Sequence, residues 1–84
     1  MRLDILTPEG SYYSGEVRSV TLPGSEGPFQ VLTGHAPIIS ELEGGDVVIR
    51  ERGGRESLFN ISGGVAEVKV NKITVLADSV QKRF

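Results

Sequence analysis

The chain has 84 residues, with 9 basic and 11 acidic side chains for a net charge of −2, one histidine and no cysteine. That length allows one small domain with a thin core, and the composition excludes disulfides and thiolate metal sites. The mixed, slightly acidic charge lacks the clustered basic face of a nucleic-acid binder, and no apolar run approaches the ~18 residues of a membrane-spanning helix.

At the amino terminus Leu3 and Ile5 alternate with Arg2 and Asp4, which predicts a strand and leaves no room for a signal-peptide pattern. Pro8-Glu9-Gly10 turns the chain. Tyr12-Tyr13 reads as a short strand that Gly15 breaks, with the two rings on opposite faces because neighbours in a strand alternate. Residues 17–22 form the next strand. Their apolar positions fall at Val17, Val20 and Leu22, and this slip in alternation predicts a β-bulge.

Residues 22–37 crowd three prolines, three glycines and His35 into sixteen positions. Proline fixes φ and withholds a donor, and glycine favours angles other residues resist, so this stretch is no helix. It reads as a loop, a short strand over 29–32 and a bend at Gly34-His35-Ala36-Pro37. Residues 37–42 read as a strand. Residues 46–52 and 55–61 read as a hairpin through a two-residue Gly53-Gly54 turn. Residues 65–70 and 73–77 read as a last hairpin through Asn71-Lys72. There Ala66, Val68 and Val70 face inward with Ile73, Val75 and Ala77, while Glu67, Lys69 and Thr74 face out. The fold class is therefore all-β: an antiparallel β-sandwich of about nine to ten short strands over residues 1–80, with 81–84 a short solvated tail and no helical domain. Leu6, Val48 and Leu76 fall on the nominally polar faces and are candidates for one partner-binding patch.

Catalysis is poorly provisioned. His35 is alone, whereas a metal site needs three or four ligands and a nucleophilic triad needs an orienting acid. Its place between Gly34 and Pro37 suits a ring hydrogen bond that fixes the bend. Asp4 with Glu9, or Glu41 with Glu43, are the only acid pairs worth weighing, and each reads as solvated carboxylates. The Gly24-Ser25-Glu26-Gly27 turn is not a phosphate loop, because Glu26 puts negative charge where phosphate would sit and no lysine or helix follows. No catalytic, cofactor-binding or metal-binding residue is expected. A polar contact tip on a rigid scaffold fits the turn better.

Five collinear segments carry a family resemblance: L-D-I-L-T-P-E near the start, S-G-E-V at 14–17, V-T-L-P-G-S-E-G-P-F-Q-V-L-T-G-H-A-P-I-I at 20–39, I-S-G-G-V-A-E-V at 61–68 and I-T-V-L-A-D-S at 73–79. In order and spacing they resemble the amino-terminal β-sandwich of the epsilon subunit of F-type ATP synthases. The resemblance implies a non-catalytic rotor subunit of the central stalk that couples the gamma subunit to the membrane c-ring. Carried over by position, Ser25, Glu26, Gly27, Pro28 and Gln30 would meet the c-ring, and Thr7, His35, Ala36, Pro37, Ile38 and Ser40 would face gamma. Many members carry an acid where this chain has Pro28 and a glycine where it has Gln30, so pairing with a basic ring residue would rest on Glu26 or be absent. Location would be peripheral, on the cytoplasmic face of a bacterial inner membrane, held through the complex without lipid insertion. The family usually continues into a two-helix hairpin that can restrain ATP hydrolysis and in some members binds ATP. Here only residues 80–84 follow, which implies coupling without either activity, and Met1 with the basic end fits a natively short subunit.

The competing reading is a free-standing sandwich module that binds carbohydrate or peptide. Such modules display an aromatic platform, yet there is no tryptophan, and Tyr12 and Tyr13 are expected on opposite faces. An enzyme comes third, for want of a convergent polar set.

Overall fold

The computed structural model describes residues 1–83; residue 84, the end of the expected tail, lies outside them. Nine strands account for most of the chain: β1 (Arg2–Thr7), β2 (Gly10–Leu22), β3 (Phe29–Leu32), β4 (Ile38–Leu42), β5 (Gly45–Glu51), β6 (Glu56–Ile61), β7 (Gly64–Lys69), β8 (Lys72–Ala77) and β9 (Val80–Lys82). No helix occurs among the described residues. They form two layers that share one long strand. The first runs β4-β7-β8-β1-β2, and the second runs β3-β2-β5-β6-β9. Every pairing is antiparallel except β1 with β8, which is parallel. The core between the layers is aliphatic, built on Leu3, Ile5, Val20, Leu22, Ile49 and Ile73, each fully buried. Period-two alternation in each strand delivers these side chains to one face.

Five expectations need correction. First, Gly15 does not break β2. Its backbone stays in the ladder opposite Leu3, and the Tyr13 ring covers the space where a Cβ would sit, 3.3 Å from the phenol oxygen. One continuous strand can therefore bend from the first layer into the second. The bulge anticipated in its second half is present: Val17 pairs with Glu51 and Ser19 with Arg50, leaving Arg18 as the extra residue.

Second, the β5–β6 turn has three residues. Glu51 donates to the Arg55 carbonyl and Gly54 donates to that of Glu51, with Gly54 at φ +90°, the arrangement of a turn closed by a left-handed glycine. Third, the β7–β8 turn is Val70-Asn71, one residue earlier than expected. Lys69 pairs with Lys72, and Asn71 takes the positive φ of 62°. Val70 is therefore 70% exposed instead of joining the core.

Fourth, the tail is structured as far as it is described. Val80, Gln81 and Lys82 pair with Ile61, Asn60 and Phe59, Arg83 donates its amide to the Leu58 carbonyl, and its guanidinium reaches Asp46 at 3.4 Å. Fifth, Tyr12 and Tyr13 do not diverge. A second bulge, opposite Ile5 and Leu6, makes Tyr12 the unpaired residue, so both rings pack edge-on against Phe59 at centroid distances of 5.5 and 5.7 Å. A bulge re-aims one side chain and cancels the alternation the sequence implies.

Tyr13 shows what that packing does to an ionisable group. Its hydroxyl donates to Glu51 Oε2 at 2.9 Å, and burial followed by the Glu51 carboxylate raises its pKa to about 12. A pKa raised above the unfolded value contributes stability below pH ~10, and that contribution is lost as pH rises towards 12. An absorbance titration is expected to show a tyrosine ionising near that upper value. Tyr13→Phe should remove that step and flatten the loss of stability above pH ~10. A Tyr13→Phe titration that matches the wild type would contradict this packing.

Candidate functional site

The sandwich has two unlike ends. At the first, the 24–28 loop is tied down by its backbone: Gly27 donates to the Gly24 carbonyl at 3.0 Å, Ser25 to that of Glu41 at 3.0 Å, and Glu43 to that of Pro23 at 2.9 Å. Gly24 is required there, because a Cβ would meet the Gly27 carbonyl oxygen at 2.7 Å and the Phe29 ring at 2.9 Å. A turn packed this closely holds one shape, and it holds Ser25, Glu26, Gly27 and Pro28 exposed at its rim. These four, with Ile39, Ser40 and Glu41 of β4, line an open groove of about 640 Å³.

The structure therefore gathers four of the five residues expected at the c-ring. Gln30 stands apart, opposite Thr21 on the outer face of the second layer and in a different recess. The other set divides. His35, Ala36, Pro37 and Ile38 lie at the opposite end, where His35 donates its amide to the Leu32 carbonyl and its ring Nδ1 lies 2.6 Å from the Ala36 carbonyl oxygen. A carbonyl only accepts, so Nδ1 carries the proton and the ring closes the bend. Ser40 sits in the groove beside the loop, and Thr7 ends β1 at the loop end, three strands across the first layer from β4.

Ile38 and Ser40 pair with the core residues Val68 and Ala66, so Ile39 and Glu41 are the residues that β4 turns to the outer face of the first layer. That face carries an apolar row the sequence disclosed only in part. Val65 pairs with Leu76, and Leu76 with Leu6, on adjacent strands. Leu76 is 53% exposed and Val65 37%, while Ile39, 76% exposed, stands on edge strand β4. Val48, grouped with Leu6 and Leu76 on the sequence, lies on the other layer between Thr21 and Leu58, so the three form no common patch. Only the register brings Val65, Leu76 and Leu6 into line; Glu41 stands opposite Val65 on β4, and Ile39 lies two residues along that edge, opposite Glu67.

Charge follows the same axis. Glu9, Glu26, Glu41, Glu43, Asp46 and Asp78 occupy the loop end, where only Arg83 answers them. The other half holds Arg2, Arg18, Arg52 and Lys72 among its basic residues. Of the acid pairs weighed on the sequence, Asp4 and Glu9 are engaged separately. Asp4 accepts from Ser14 at 2.6 Å with Arg2 and Lys72 nearby, and the Ser14 hydrogen bond leads in holding its carboxyl below the ordinary value against the effect of burial. Glu9 is instead engaged in the β1–β2 turn through Thr7. Glu41 and Glu43 are both exposed. No group of three or more His, Cys, Asp or Glu able to hold a metal ion occurs among the described residues. The aromatic trio meets edge-on, so it offers no flat platform to a sugar ring.

The model of the ATP synthase Delta/Epsilon chain, β-sandwich domain, matches residues 1–83. The chain belongs to this family. Among curated relatives, the ATP synthase epsilon chain of Wolinella succinogenes is 44% identical over 78 residues, covering 93% of this chain and 60% of the relative. That of Chlorobaculum tepidum is 45% identical over 78 residues, covering 93% of this chain and 89% of the relative. The chain thus spans about three fifths of the Wolinella subunit. A chain of the Euglena gracilis mitochondrial ATP synthase, solved as an OSCP/F1/c-ring assembly, superposes with a TM-score of 0.89 at 23% identity, covering 95% of this chain and 51% of that one. At that identity the likeness speaks for the fold, and the fold is the epsilon-chain sandwich. No helix of the described residues is long and apolar enough to cross a membrane.

Proposed function

We propose that this epsilon-family sandwich is a non-catalytic rotor subunit that couples gamma to the c-ring during proton-driven ATP synthesis. The observation that carries the proposal is the pairing of two different contact surfaces on one rigid body. The apolar row of Val65, Leu76 and Leu6, flanked by Ile39, suits a permanent protein partner, because exposed contiguous apolar surface is retained where something covers it. We assign gamma to that face, with Thr7 at one end and His35, Ala36, Pro37, Ile38 and Ser40 along the other edge. The backbone-tied loop of Ser25, Glu26, Gly27 and Pro28 suits polar loops at the end of a ring whose remaining surface is in lipid, with Gln30 at its margin. A sandwich without internal hinges passes displacement from one surface to the other. This puts the chain at the cytoplasmic face of a bacterial inner membrane, held peripherally through its partners. The part proposed for these residues is coupling and assembly.

Reconstituted synthase carrying Glu26→Lys tests the proposal. Proton-driven ATP synthesis is expected to fall several-fold, while the stability of the isolated domain moves by no more than ~0.5 kcal/mol, since Glu26 is exposed. Unchanged synthesis would remove Glu26 from the ring contact.

A further inference from the structure

We infer that Arg18 and Arg52, with the Thr33 hydroxyl beside them, form a docking site for the carboxylates of an acidic protein segment. The site lies at the end of the sandwich remote from the polar loop, where the three residues line one recess of about 450 Å³ with Met1 and Val17.

Its construction is specific. Arg18 is the residue that the β2 bulge leaves without a partner on β5, and bulges commonly redirect a side chain. Its Nη2 donates to the Arg52 carbonyl oxygen at 3.2 Å, which pins one guanidinium to the hairpin that carries the other. Arg2, Arg50 and Arg83 each have a carboxylate within 4.0 Å; Arg18 and Arg52 have none among the described residues. Two planar forks without a carboxylate within 4.0 Å, on residues that line one recess, are suited to bidentate carboxylate recognition.

The occupant is a segment and not a free anion. Both arginines are exposed and the recess is open, so one small anion gains little there against water. An extended acidic segment gathers several such contacts at once. Arg55, on the same β5–β6 hairpin as Arg52 and with no carboxylate within 4.0 Å among the described residues, adds to the positive field that draws it in.

The test is a titration of the isotopically labelled protein at low ionic strength, with a hexaglutamate peptide in one arm and inorganic phosphate in the other. The peptide is expected to shift the Arg18 and Arg52 Nε–H signals and to saturate. Arg18→Ala/Arg52→Ala should weaken it ~10-fold, and Arg18→Lys/Arg52→Lys, which keeps the charge and loses the forks, should weaken it several-fold. Both variants alter exposed side chains, so retention of the wild-type amide spectrum shows that the fold is intact. Tighter binding of phosphate than of peptide would make this a free-anion site and overturn the inference. A double-lysine variant that binds the peptide as well as the wild type would overturn it as well, by leaving only the diffuse field.

Discussion

Gly64→Ala is expected to be the most damaging single-methyl change in this fold, costing about 3–5 kcal/mol. Gly64 opens β7 at φ +154°, in a region that side chains rarely enter, and a Cβ there would lie 2.1 Å from the Leu76 carbonyl oxygen and 3.0 Å from the Ala77 Cα. These are backbone atoms of the paired strand, so no side chain can swing aside. Relief requires β7 and β8 to separate where Leu42 and Ala77 flank Gly64 on the two neighbouring strands. A domain of this size has a total stability of only about 4–12 kcal/mol, so the variant loses a large share of it or fails to fold. Urea denaturation checks this against Gly53→Ala, whose Cβ would meet nothing within 4 Å and which should stay within ~0.5 kcal/mol of wild type. Equal midpoints for the two variants would contradict the close approach.

Leu76→Asp should separate folding from assembly. Leu76 is central in the apolar row, with Val65 on one side and Leu6 on the other, and it points away from the core. The isolated domain should lose about 1 kcal/mol or less. Binding to gamma under the proposed reading should weaken by about 2 kcal/mol, ~30-fold, because a carboxylate in the middle of a covered apolar row is desolvated without a partner. Calorimetric titration of the gamma-containing head with wild type and variant measures the change in binding, and urea denaturation of the isolated domain measures the change in stability. Wild-type affinity would mean that gamma lies elsewhere and that this row needs another explanation.

Most of the fold was legible because burial has period two. Leu3 and Ile5, Ala66 and Val68, and Ile73 and Val75 announce their strands and their inward faces without help from the rest of the chain. Bulges defeated that reading at Tyr12, because one extra residue inverts which neighbours share a face. At Gly15 a residue type was taken for a break, although its backbone is extended and roofed by Tyr13. The carboxyl-terminal residues 80–83 carry a weak strand signal, and their order comes from the free edge of β6, which only the assembled sheet provides. The polar loop was legible from its glycines and prolines. The apolar row and the Arg18–Arg52 pair were not, since each joins residues distant in sequence through strand register.

The most direct test of the central claim is the position of this chain within an assembled rotary synthase, determined by single-particle imaging of the complex that carries it. The proposal requires the Val65–Leu76–Leu6 face against gamma and the Ser25-Glu26-Gly27-Pro28 loop on the c-ring. A chain seated with that face open to solvent, or with the loop far from the ring, would contradict it.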